Sequence, residues 1–143
     1  MAKHAERDHR LEGDRPRILL VDDSPELRAL VRAPLVADGF DVLEAGDGRE
    51  ALDLLGLGSA LPPNQPIELL ITDERMPFVS GLALLASLRA VRSPLPVILM
   101  TSFGDPALHA RARSLGAVLT LDKPIPRLAL RDAARRLLDP PWW

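Results

Sequence analysis

The chain has no cysteine among its 143 residues, which excludes disulfides and thiolate metal sites. It has no apolar stretch approaching the roughly 18 residues that a membrane span needs. Its first fifteen residues, Met1 to Arg15, are polar, mixed in charge and without the apolar core of a targeting segment. Neither sign of charge is in excess: 18 Lys and Arg stand against 20 Asp and Glu, a net charge of -2. Nothing in the overall balance therefore points to direct binding of nucleic acid or to an anionic membrane. His4, His9 and His109 are the only histidines, and their spacing suits no metal site. Trp142 and Trp143 are too few to form an interaction motif, and no internal repeat is visible. What is left, 47% hydrophobic and 27% charged, is expected to be one soluble cytoplasmic domain large enough to bury roughly two thirds of its unfolded surface.

Five apolar runs alternate with helical patterns. The first run, Ile18 to Val21, is followed by Ser24 as a side-chain cap and Pro25 at the first helical position, predicting a helix to about Ala37 that Gly39 ends. Pro34 removes a hydrogen bond to Leu30 and should kink the last turn. A second strand, Asp41 to Glu44, turns through Gly46-Asp47-Gly48 into a short helix, Arg49 to about Leu57. Gly56 to Pro66, with three prolines and two glycines, reads as a long, stiff surface loop. Strand three, Ile67 to Thr72, is almost purely apolar, as a strand covered on both faces should be. Helix three spans Gly81 to Val91, strand four Val97 to Met100, helix four Pro106 to Leu115, strand five Val118 to Leu121 and helix five Pro126 to Leu138. Five β-then-α units predict an α/β fold: a doubly wound, five-stranded parallel sheet with helices on both faces. The domain is expected over residues 16–138, between tails at 1–15 and 139–143.

Polar residues stand just past the ends of these runs: Asp22 and Asp23 after the first, Asp73 after the third, Thr101 after the fourth, Lys123 after the fifth. In a parallel α/β sheet the carboxyl ends of the strands form the crevice where ligands bind. Each residue alone has a plainer explanation. Acidic residues before a helix favour its dipole, Asp73 and Thr101 suit turns, and Lys123 suits a solvated surface. Together they place three carboxylates, a hydroxyl and an ammonium in one crevice. Two carboxylates about 4 Å apart repel by roughly 4 kcal/mol at an effective dielectric of 20, so three gathered ones require a cation or shifted pKa values. Mg²⁺ suits this all-oxygen set, with a phosphate completing its shell, better than zinc does.

The motifs Val21-Asp22-Asp23-Ser24, Thr72-Asp73-Glu74-Arg75-Met76-Pro77 with Gly81, Met100-Thr101-Ser102, Gly116-Ala117 and Lys123-Pro124 resemble the receiver domain of two-component response regulators, the CheY-like superfamily. The resemblance runs from about Pro16 to Leu138. It implies a flavodoxin-like strand order 2-1-3-4-5 and a cis Lys123-Pro124 peptide. It further implies that Asp73 accepts a phosphoryl group from the phosphohistidine of a sensor kinase or from a phosphotransfer protein. Asp23 and Asp73 would hold Mg²⁺ with the backbone carbonyl of Arg75, and Asp22 would act on the metal largely through water. Thr101 would hydrogen-bond one phosphoryl oxygen and Lys123 would neutralise another. Such a chain is a switch and not an enzyme; its output would pass to a downstream protein, with a homodimer through helix four, strand five and helix five among the expected assemblies.

One departure from the family pattern is plain. Three residues before the lysine the family usually carries Tyr or Phe, and here that position is Thr120, with Phe103 as a partial substitute two residues after Thr101. This keeps a second reading open, a receiver-like protein-interaction module with a weakened or absent phospho-switch. A third reading rests on Gly46-Asp47-Gly48-Arg49-Glu50-Ala51, which fits a nucleotide-binding G-x-G-x-x-A pattern but leaves Thr101 and Lys123 unexplained. Arg127, Arg131 and Arg135 recur at helical spacing as one basic stripe, read as a solvated face with a partner surface as the alternative.

Overall fold

The computed structural model describes residues 15–58, 66–102 and 105–138. The strands are β1 Arg17–Val21, β2 Asp41–Ala45, β3 Leu69–Asp73, β4 Val97–Thr101 and β5 Leu119–Asp122. The helices are α1 Pro25–Ala37, α2 Gly48–Leu54, α3 Gly81–Ala90, α4 Pro106–Ser114 and α5 Ala129–Leu138. The five strands form one parallel sheet in the order β2-β1-β3-β4-β5, the order that the family resemblance implied. Among the described residues no helix is long and apolar enough to cross a membrane.

Side chains alternate across a strand, and the apolar runs therefore feed two cores. Ile18, Leu20, Leu69, Ile71, Ile98 and Met100 pack on one face against Leu35 of α1 and Leu130 and Ala134 of α5. Leu19, Val21, Leu70 and Val97 pack on the other against Ala51 of α2 and Leu84, Leu85 and Leu88 of α3. β3 and β4 are buried along their whole length, whereas β5, at the sheet edge, is only half covered.

Helix ends follow the predicted chemistry. The Ser24 hydroxyl accepts the Leu27 N–H at 3.2 Å with Pro25 next in line, and Ser80 and Asp105 cap α3 and α4 the same way. Gly39 and Gly116 take positive φ, 94° and 85°, just beyond α1 and α4, where a side chain would be strained. Pro34 does not interrupt α1, which stays helical to Ala37. Several boundaries differ from expectation by a residue or more, among them β3, which starts at Leu69 and not Ile67 and includes Asp73. α2 stops at Leu54, ahead of Gly56 at φ 78°. β5 lies one residue later than expected and includes Asp122. α5 begins at Ala129, because Pro126 opens a turn in which its carbonyl accepts the Ala129 N–H at 3.0 Å.

Two arginines fasten the elements. Arg89, on α3, donates to the carbonyls of Ser93 and Leu95 before β4 and of Leu115 and Gly116 before β5, at 2.8 to 3.1 Å. Arg135, on α5, closes on both oxygens of Asp38, the C-cap of α1. This corrects the reading of Arg127, Arg131 and Arg135 as one solvated stripe. Arg135 is a cross-link between α5 and α1, and Arg131 pairs with Asp132 at 2.8 Å.

Candidate functional site

The sheet register brings the strand ends level. Val21 lies beside Ala45 and Thr72, Asp73 beside Met100, and Thr101 beside Asp122. The residues that follow β1 and β5, and those that end β3 and β4, therefore meet at one edge. Carboxylate oxygens of Asp22, Asp23 and Asp73 all lie within 4.8 Å of one another. Asp22 and Asp73 are buried and Asp23 is exposed, so the cluster opens to solvent on the Asp23 side.

Asp22 is held at every polar atom. Its N–H bonds to the Ala45 carbonyl at 3.2 Å, its Oδ1 accepts the Ser24 N–H at 2.8 Å, its Oδ2 accepts from Lys123 Nζ at 3.3 Å, and its carbonyl accepts from Arg28 Nη1 at 2.6 Å. Asp73 is less satisfied. Lys123 Nζ stands 3.1 Å from its Oδ1 as an ion pair, and among the described residues no other donor reaches this buried oxygen. Burial pushes the Asp73 carboxyl above the usual aspartate range; the Lys123 ammonium pulls it back down and the neighbouring Asp22 charge adds to the rise.

The other predicted residues divide. Thr101 ends β4, buried, and its carbonyl accepts the Lys123 N–H at 2.7 Å. The Lys123-Pro124 peptide is cis. Arg75 follows β3 with an exposed side chain. Gly81 sits against β3 so closely that a Cβ there would come 2.5 Å from the Asp73 carbonyl oxygen and from Leu99 Cδ1. Thr120 is half-buried on β5, opposite Leu99. His109 is paired with Asp122 at 2.8 Å. Phe103, Trp142, Trp143, His4 and His9 lie outside the described residues.

The Gly46 to Ala51 segment has a structural explanation. Asp47 accepts the Glu50 N–H at 2.9 Å while the Glu50 carboxylate accepts the Gly46 N–H at 2.8 Å, a reciprocal cap that fills the donors a phosphate would use. A Cβ on Gly48 would lie 2.4 Å from Val79 Cβ, so this glycine admits the loop between β3 and α3, not a pyrophosphate.

Two residues that sequence reasoning missed support the site. Glu74 accepts the Leu82 N–H at 2.8 Å, tying the start of α3 to the residue after Asp73; burial raises its carboxyl pKa and this bond lowers it. Arg28 holds the Asp22 carbonyl. Glu74 stands inside a quoted motif but was given no role there, and Arg28 lies outside every motif; each acts on a backbone group that only the fold brings near.

A family model for the response regulator receiver domain matches residues 18–135. The chain belongs to that family. The receiver is 38% identical over 122 residues to the C4-dicarboxylate transport transcriptional regulatory protein DctD of Pseudomonas aeruginosa, covering 85% of this chain and 25% of that protein. It is 36% identical over 127 residues to the transcriptional regulatory protein CpxR of Escherichia coli, covering 89% and 51%. The receiver thus spans a quarter to about half the length of these curated relatives. Among solved structures it matches the chemotaxis protein CheY4 of Vibrio cholerae with a TM-score of 0.73 and 27% identity, covering 87% of this chain and 99% of that one.

Proposed function

We propose that this receiver is a phospho-acceptor switch: Asp73 takes a phosphoryl group from a sensor histidine kinase or a phosphotransfer protein in a Mg²⁺-dependent reaction, and the modified domain changes its binding to a downstream protein. The observation that carries this reading is the buried Asp73 carboxylate at the end of β3, whose Oδ1 meets only the Lys123 ammonium among described donors, beside two further carboxylates. That one ammonium is shared with Asp22, which leaves the buried charge under-compensated, and an all-oxygen cluster of three acids fits a hard divalent cation. Asp22, Asp23 and Asp73, with the Arg75 carbonyl, would hold the ion. When bound, Mg²⁺ supplies positive charge against the charge spread over a phosphoryl group in transfer.

An oxygen of Asp73 attacks phosphorus in line. An O–P bond forms as the phosphohistidine N–P bond breaks, and the electron pair leaves on the imidazole nitrogen. The Lys123 ammonium neutralises one phosphoryl oxygen and the Thr101 hydroxyl donates to another. The chain is then a stoichiometric acceptor, not an enzyme turning over a diffusible substrate, and its cytoplasmic setting and a homodimer through α4, β5 and α5 belong to the same reading. A second reading, an interaction module with a weakened switch, is favoured by one observation, the short Thr120 side chain on β5.

Intact-mass measurement after incubation with acetyl phosphate and Mg²⁺ separates the two. The phospho-acceptor reading expects one added phosphoryl group, lost in Asp73→Asn. An unmodified wild-type chain favours the interaction module, and a modification that peptide mapping places elsewhere overturns the assignment of Asp73.

A further inference from the structure

Arg28 grips the backbone of the acidic turn after β1 from the neighbouring helix. It projects from the first turn of α1, where its own N–H bonds to the Ser24 carbonyl at 3.0 Å. Its guanidinium spans two anchors: Nη1 donates to the Asp22 carbonyl at 2.6 Å, and Nε donates to Glu44 Oε1 on β2 at 3.1 Å. Glu44 is itself braced by Arg32 Nε at 3.2 Å from Oε2. The guanidinium also crosses Gly46, where a Cβ would stand 3.5 Å from Nη1. A planar fork holds its two acceptors with donors at fixed angles, whereas an ammonium is a compact charge on a flexible stem.

We infer that Arg28 is a positioning residue for the divalent cation: by fixing the Asp22 carbonyl it sets the peptide plane between Asp22 and Asp23, and so aims the Asp23 carboxylate at Asp73. The inference rests on the metal-binding role proposed above. The six atoms of a peptide unit move together, so an oxygen held by Arg28 on one side of the bond fixes the Cα of Asp23 on the other. The Asp23 carboxylate is exposed, and its aim depends on its backbone more than on packing.

Positioning and simple electrostatics predict opposite signs here. A positive charge close to a cation site disfavours the cation, so removing the Arg28 charge should tighten Mg²⁺ binding if charge were its only effect. If Arg28 positions Asp23, removal loosens it despite the charge relief. Partners of metal ligands typically change affinity by roughly 10- to 100-fold.

The test is calorimetric titration with MgCl₂ alone on the full chain and on Arg28→Met, Arg28→Lys and Glu44→Gln, with circular dichroism to check folding. Arg28→Met should bind Mg²⁺ roughly tenfold more weakly, Arg28→Lys should recover part of the loss, and Glu44→Gln should show a smaller loss. The rate of labelling by acetyl phosphate should return towards the wild-type value at saturating Mg²⁺, because the ligands themselves remain. Equal or tighter binding in folded Arg28→Met overturns the inference and leaves the metal site standing. If Arg28→Met fails to fold, unchanged affinity in Glu44→Gln overturns it. A wild-type chain that binds no Mg²⁺ overturns the reading of the acidic cluster and the inference with it.

Discussion

Lys123 is the cation at the buried Asp73 carboxylate: Nζ lies 3.1 Å from Oδ1, and among the described residues no other donor reaches that oxygen. The consequence is a site that is costly to keep ionised. Because the folded Asp73 carboxyl titrates above its ordinary value of 3.8, the stability it contributes is fully present below that value and is lost as pH rises through the higher folded pKa. At pH 7 without a divalent cation the ionised group therefore weakens the fold. Asp73→Asn should melt higher in EDTA at pH 7, by about 4 °C for each kcal/mol relieved. The gap should narrow as pH falls towards 4, and Mg²⁺ should raise the wild type alone by mass action. Differential scanning fluorimetry checks all three, and a lower melting temperature for Asp73→Asn at pH 7 would show that the Lys123 pair outweighs burial.

Asp23 is the exposed member of the acidic cluster. Asp23→Ala should leave the melting temperature nearly unchanged while weakening Mg²⁺ binding by about tenfold or more, since a ligand should matter at least as much as a partner of one. Calorimetric titration reads the affinity. An unchanged curve would remove Asp23 from the metal site.

Gly48→Ala tests whether that glycine serves packing. A Cβ there meets Val79 Cβ at 2.4 Å and the Val79 carbonyl at 2.5 Å, so the loop between β3 and α3 must shift. Overpacking of this kind costs about 1–3 kcal/mol. Chemical denaturation should show that loss, and a variant as stable as wild type would contradict the packing explanation.

Thr120 governs the fourth expectation. A switch needs an element with two packings whose balance the phosphoryl group can bias, and a half-buried threonine on β5 offers little difference in buried area. With beryllofluoride as a mimic of the phosphorylated acceptor, NMR shifts should be larger at Thr101 to Gly104 than at Thr120. Comparable changes at Arg111, Thr120 and Arg131 would show that the α4, β5 and α5 surface responds without an aromatic ring.

The parts legible in sequence are those written in one short stretch. Strands buried on both faces spell themselves as apolar runs, so β1, β3 and β4 were readable, and a parallel sheet puts its polar strand ends together, so Asp22, Asp73, Thr101 and Lys123 were readable as a set. β5 was shifted by one residue because an edge strand alternates with solvent and its apolar run does not mark its end. Arg135 was misread because helical spacing says which face a side chain is on and nothing about Asp38 on a neighbouring helix. The roles of Arg28 and of Glu74, the latter inside a quoted motif, left no trace, since their partners include main-chain atoms and one residue, Glu44, on another strand.

The four carbonyls gathered by Arg89 belong to the segments that lead into β4 and into β5, at the end of the sheet away from the acidic cluster. One side chain thus ties the entrances of two adjacent strands together. Removing it would leave four carbonyls to find other partners at once, so the starts of β4 and β5 stand or loosen as a pair.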